Sequence, residues 1–162
     1  MRGHHVVAAC AMTVLAGMSS CIAAEAAVQF ADGAATFAAN CAVCHGAAGA
    51  GQSGLAPPLT SYPARYAAQV EGRRQLALTL LYGMFGAISV EQQKFNFKMP
   101  DFSHFDDRAL AAVLNFVVFD LGHAPSATPP LGAEEIAAER DHALDGSAVR
   151  EHRALVLGII GG

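Results

Sequence analysis
The chain lacks tryptophan, holds little charge and has only four cysteines in 162 residues. The first two traits are permissive and exclude nothing by themselves. The shortage of thiols excludes more, because Cys10 and Cys21 fall in an N-terminal stretch that reads as a discarded leader. Only Cys41 and Cys44 are then left, and one pair three residues apart cannot build a disulfide framework. Basic residues are also scarce, 10 against 14 acidic ones, for a formal net charge of −4. Arg2 lies in the leader, so the remaining chain is more acidic still. Nucleic-acid phosphates would be repelled, and no basic stripe is visible, so such a partner is excluded. No apolar run reaches the about 20 residues needed to span a bilayer. There is no internal repeat and no alternation of strands with helices, which removes the βαβ setting of a thiol–disulfide oxidoreductase.

The start has the layout of a secretory signal peptide: Arg2, an apolar run from Val6 to Gly17, then small residues ending Ile22, Ala23, Ala24. Residues 1–24 are therefore set aside, which implies export to the periplasm. Met18, Ser19, Ser20, Cys21 loosely resembles a lipobox. Lipidation at Cys21 would hold the protein to a membrane, whereas the plainer reading makes Cys21 part of the discarded leader.

What the chain does contain is Cys41, Ala42, Val43, Cys44, His45, the C-x-x-C-H spacing of c-type haem attachment. On a short helix the two thiols sit on neighbouring turns and can reach the vinyl groups along one porphyrin edge. The following imidazole then faces the iron. One covalent haem c is expected, with His45 as the proximal ligand. A zinc site would need further cysteines or histidines at paired spacing, which are absent.

The remaining axial position suits a thioether, which stabilises ferrous iron and raises the potential. Met84 and Met99 are the candidates, and Met99 is preferred since Pro100 stiffens the backbone beside it, the alternative being that Met99 only packs on the porphyrin and iron is five-coordinate or held by His104 or His123. Met84, between Gly83 and Phe85, reads as a core or haem-edge contact. His104, His123, His142 and His152 stand in polar surroundings and read as surface residues. A ligating imidazole needs its second nitrogen oriented, and the carbonyl of Pro57, held in the rigid turn Ala56, Pro57, Pro58, offers an acceptor.

Apolar spacing predicts a helix over Phe30–Asn40 that runs into the haem motif and contains Gly33. There glycine costs about 1 kcal/mol relative to alanine, which makes sense if another helix must approach closely. A Gly- and Pro-rich loop follows from Gly46. A second helix is expected over Arg73–Tyr82, with Leu76, Leu80 and Leu78, Leu81 as its apolar pairs and Gly83 as its stop. Met84–Phe102 reads as an extended covering segment. Asp106 can cap a helix with the stripe Leu110, Val113, Leu114, Val117, Val118, Leu121, ended by Gly122. Beyond the prolines of 124–131, residues 133–140 and 146–157 read as short surface helices, an appendage whose apolar end packs back on the domain or on a partner.

Taken together, Gly33 and Phe37 ahead of C-x-x-C-H, Pro57 and Leu59 as a P-x-L element, Leu80 and Gly83, Met99 with Pro100, and Phe116 make residues 28–122 resemble the class I c-type cytochromes. The resemblance implies an all-α fold of three to five helices around one covalent haem, in which Gly33 and Phe37 cross Phe116. The division expected is a leader (1–24), a cytochrome domain (25–122) and a short helical C-terminal extension (123–162). Gly86, Ile88, Val90, Phe95, Met99, Pro100 and Phe102 are similar to single-haem domains serving periplasmic dehydrogenases, nitrite reductases and terminal oxidases. Many of those carry a Gly-x-x-Tyr stretch where Glu91–Phe97 stands here, so the distal loop differs. The function implied is electron transfer, not catalysis, with iron held by His45 and Met99 and a redox protein as partner. The alternative is a peroxidase-like haem enzyme or ligand sensor with a labile distal ligand, and the long tail favours a subunit of a larger redox enzyme.

Overall fold
A glycine fixes the central crossing of the fold. Helix α1 (Ala31–Asn40) lies against α5 (Asp107–Asn115) in the computed structural model, which describes residues 29–161. At the crossing a methyl group on Gly33 would overlap the backbone carbonyl of Ala112. Only glycine permits this approach, which offsets its cost inside a helix. One turn on, Phe37 is buried against Phe116 with ring centroids 5.3 Å apart and planes tilted by 54°. The leader, Cys10 and Cys21 lie outside the described residues.

Helix α2 (Ala42–His45) follows α1 almost without a break, because the Cys41 amide donates back to Phe37. The chain then loops to α3 (Tyr62–Ala67), absent from the sequence expectations and marked by Pro63 in its first turn. Helix α4 (Val70–Tyr82) starts three residues earlier than its apolar spacing indicates and ends at Gly83 as expected. The extended segment beyond it is partly a hairpin, β1 (Ile88–Val90) and β2 (Gln93–Phe95), paired antiparallel with Ile88 opposite Phe95. Glu91 and Gln92 make its two-residue turn, both at positive φ (48° and 67°). That is the hairpin geometry more often given to Asn-Gly.

Asp106 caps α5 by accepting the Ala109 amide at 2.7 Å. The helix does not simply run to Gly122. From Phe116 to Leu121 it widens into a π turn, in which the Gly122 amide reaches Val117 five residues back at 2.9 Å. In this turn Phe119 lies against Phe30, and the Asp120 carboxylate accepts the amides of Gln29 and Phe30. That negative charge sits where the α1 dipole is positive.

The residues after Gly122 form two helices as expected, each with an exposed side, but they dock closely on the preceding helices. Helix α6 (Ala133–Arg140) packs on α4 and α5, and α7 (Gly146–Ile160) packs on α4. Leu131 and Ile136 are buried in the main apolar cluster, and Val149 and Val156 are buried as well. Asn115 binds the Leu131 backbone twice, donating to its carbonyl at 3.0 Å and accepting its amide at 2.7 Å. Arg73 reaches across to Glu135 and to the carbonyls of Pro129 and Pro130. Of the apolar end, Val156 packs inward while Leu155 and Ile159 stay exposed. Among the described residues no helix is long and apolar enough to cross a membrane.

Candidate haem site
An apolar cavity of about 480 Å³ opens between α2, α4, the hairpin and the segment before α5. That is within the size range of cofactor pockets. Cys41, Cys44 and His45 line it, as do Met99 and Phe102 of the covering segment. Pro57 and Met84 are on its wall too. The structure thus brings every residue of the expected site to one space, although they come from three stretches of chain.

The two cysteines form no disulfide with each other, and both are half-buried. Burial, and secondarily the neighbouring Cys44, pushes the Cys41 thiol up to about 11, so it is protonated at neutral pH. The His45 ring is buried, and burial lowers its pKa against the opposing effect of its bond to Pro57. Its Nδ1 lies 2.9 Å from the Pro57 carbonyl oxygen. A neutral ring that donates Nδ1–H to this carbonyl leaves Nε2 with its lone pair for a metal. The proline carbonyl is held in turn by the loop, where the Gly51 amide donates to His45 and the Leu59 amide to Gly49.

Met99 is fixed by its backbone. Its amide donates to Met84 at 2.8 Å and its carbonyl accepts the Met84 amide at 3.1 Å. Gly83, at φ 68°, lies so close to the Met99 carbonyl that a side chain there would collide with it. The glycine that stops α4 therefore also seats the methionine segment. Three residues later the Phe102 amide donates to Leu80 at 2.8 Å, tying the same segment to the end of α4.

The chemistry of the wall fits a c-type haem. Two cysteines, an oriented imidazole and a thioether line one cavity whose walls are mainly apolar. One polar atom lacks a partner: Tyr66 lines the cavity, and its hydroxyl is buried and makes no hydrogen bond. Such an atom is costly unless something bound there meets it. Tyr66, Gln75 and Arg153 were not among the site residues expected from sequence, and only the i, i+4 pair Tyr62 and Tyr66 beside Pro63 signalled α3. His152 is another departure. It is half-buried, with Nδ1 2.6 Å from Gln75 Oε1, and its pKa is lowered chiefly by burial.

Residues 30–118 match the Cytochrome c family, and the chain belongs to it. It carries one covalent c-type haem and is a haem-mediated electron carrier. A cytochrome c-552 of Thermus thermophilus is 41% identical over 108 residues, which cover 65% of this chain and 82% of that protein. A second cytochrome c-552 of the same species is equally similar, with 72% of its length covered.

Proposed function
We propose that Cys41 and Cys44 carry the two thioether bonds, that His45 and Met99 are the axial ligands, and that Pro57 orients His45. When bound, the haem supplies a one-electron ferric/ferrous couple. With both axial positions filled by the protein, no open position is left for bond-making on a substrate, which favours transfer over peroxidase-like catalysis or ligand sensing. The chain works after export, in the periplasm, exchanging electrons with a redox protein partner. The observation that carries this reading is the His45–Pro57 hydrogen bond within a cavity that Met99 also lines.

Met99→Ala tests it. Covalent haem is expected to stay, seen as mass retained under denaturing conditions. The weak far-red band of a ferric methionine-ligated haem is expected to vanish, the potential to fall and added imidazole to bind. An unchanged ferric spectrum would mean that another residue is the sixth ligand.

A further inference from the structure
Gln75, on α4, lines the haem cavity and is 2% exposed, and one hydrogen bond behind it stands His152 of α7. The neighbours of Gln75 dictate which way its amide turns. Its nitrogen lies 2.9 Å from Thr79 Oγ1 and 3.3 Å from the Val149 carbonyl oxygen. A carbonyl can only accept, so the nitrogen and not the oxygen faces Val149. Thr79 donates its own hydroxyl proton to the Gln75 backbone carbonyl at 2.7 Å, which leaves Oγ1 free to accept. Both amide protons are thereby used, and Gln75 Oε1 is the acceptor 2.6 Å from His152 Nδ1. The imidazole donates Nδ1–H there in either charge state, and Nε2 is the nitrogen that gains or loses a proton.

Nε2 lies 3.8 Å from the carboxylate of Glu71 on α4, which is 46% exposed, and the His152 side chain itself keeps 17% exposure. Solvent protons therefore reach the site, although its other nitrogen is tied to the cavity wall. The charges acting on the ring from the helices around it are Arg74 and Glu71 of α4 and Glu139 of α6. Arg74 and Glu139 pair with each other at 3.0 Å, so their effects largely offset. On its own helix Glu151 and Arg153 flank it in sequence. Burial first, then Arg74, lowers the pKa of the ring below 6.5, with Glu71 and Glu139 opposing. His152 is thus neutral at pH 7 and takes up a full unit of charge on mild acidification.

We propose that His152 is a proton-binding site linked to the electron on the haem, so that the C-terminal extension makes the reduction potential follow pH. This rests on a haem electron carrier in this cavity and not on which residue is the sixth ligand. The electron comes from and returns to the redox partner, and the proton is exchanged with solvent at Nε2. Gln75, with its donors and its acceptor committed, holds the ring in place and carries no proton itself. A proton on His152 favours the ferrous state, so the potential rises as pH falls through the pKa of the ring. Linkage is reciprocal: the electron strengthens proton binding by the factor by which the proton favours the electron. Two unit charges roughly 15 Å apart at an effective dielectric constant of about 20 alter an equilibrium about sixfold. Screening at the exposed side of the ring reduces this, and about threefold is expected.

The test uses the haem-loaded protein, His152→Asn and Glu71→Gln. Asparagine keeps a donor toward Gln75 Oε1 but cannot titrate. Potentials are read by spectroelectrochemical titration between about pH 5 and about pH 8. Groups that titrate elsewhere contribute alike to native and variant protein, so the difference between the two curves carries the answer. The native potential is expected to exceed that of His152→Asn at the acid end by a threefold change in the ferric/ferrous equilibrium, about 28 mV for one electron. The two should converge at the alkaline end. Glu71→Gln removes the carboxylate that supports protonation, so the step should move to lower pH and keep its size. In the native protein the His152 imidazole resonances, assigned by their displacement in Glu71→Gln, should titrate about half a pH unit higher in the ferrous than in the ferric state. The far-red methionine band, read in the same samples, reports the sixth ligand separately. Parallel curves for native protein and His152→Asn would overturn the proposal. Should His152→Asn fail to fold, the resonances decide: equal pKa values in the two oxidation states overturn it.

Discussion

Replacing Ile136 by alanine asks whether the residues after Gly122 fold as one unit with the haem domain. Ile136 is 0% exposed and shares its apolar cluster with Phe37, Leu110 and Val118. Truncation removes three carbons, worth about 2.4 kcal/mol of transfer free energy at roughly 0.8 kcal/mol each. The cavity left behind adds to this, because α6 is pinned on both sides and cannot collapse inward. Tyr82 donates to the carbonyls of Glu139 and Arg140, and Arg140 holds Asp107 at 2.6 Å. The total is about 3–4 kcal/mol, within the span measured for such substitutions. At roughly 2–4 °C per kcal/mol for a chain of this size, Tm falls by about 10 °C. The assay is thermal unfolding of the haem-loaded protein, followed together at the Soret band and by far-ultraviolet circular dichroism. Both midpoints should drop together. A Soret midpoint unmoved to within about 1 °C, with a small fraction of the helical signal melting early, would refute the reasoning and make the extension a separate appendage.

Two further outcomes bear on the same seam. In Asn115→Ala the buried amide and carbonyl of Leu131 lose their partners, and the expected cost of about 2–4 kcal/mol should appear as a lower urea midpoint with unchanged m-value. A loss below about 0.5 kcal/mol would mean that the pair contributes little. Glu135 is held below the ordinary carboxylate value of 4.5, chiefly by its hydrogen bond from Arg73 and then by the Gly132 amide, with partial burial opposing. Because its folded pKa is the lower one, its stabilisation is complete above the unfolded value and is lost as pH falls through the folded value. Tm of the native protein should therefore exceed that of Glu135→Gln at neutral pH, and the gap should close on acidification below pH 4.5. A gap that stays constant with pH would rule out the ion pair as its source.

The haem-binding face was legible because its parts are short and stereotyped. C-x-x-C-H is local, Gly33 announces a close helix approach by residue type, and the crossing of Phe37 with Phe116 came from the resemblance to class I c-type cytochromes. The cap at Asp106 follows from spacing and chemistry alone. The π turn at Phe116–Leu121 was not legible, because its stripe of Val117, Val118 and Leu121 also satisfies an ordinary helix, and the difference lies in which carbonyl each amide chooses. The hairpin was half visible: Ile88 and Val90 alternate, but Glu91 and Gln92 are not the residues that usually mark a turn at positive φ. Arg153 was hidden for a different reason. A charged residue on a short amphipathic helix reads as solvated, and only the docking of α7 on α4 turns it inward.

Helix α4 shows how the extension packs on the rest of the chain. A helix with one buried face shows one apolar stripe, whereas α4 has two pairs, Leu76 with Leu80 and Leu78 with Leu81. The first pair lines the haem cavity, together with Gln75 and Thr79. The second does not, yet Leu78 and Leu81 are 0% and 1% exposed. Their burial requires cover other than the haem cavity, and the helices packed on α4 are α3, α5, α6 and α7. Arg73 and Arg74, on the same helix, carry the point further by pairing with Glu135 and Glu139 of α6. A double stripe on a helix beside a covalent cofactor thus implies a second packing partner, and in this chain the segment that follows Gly122 supplies two of the helices packed on α4.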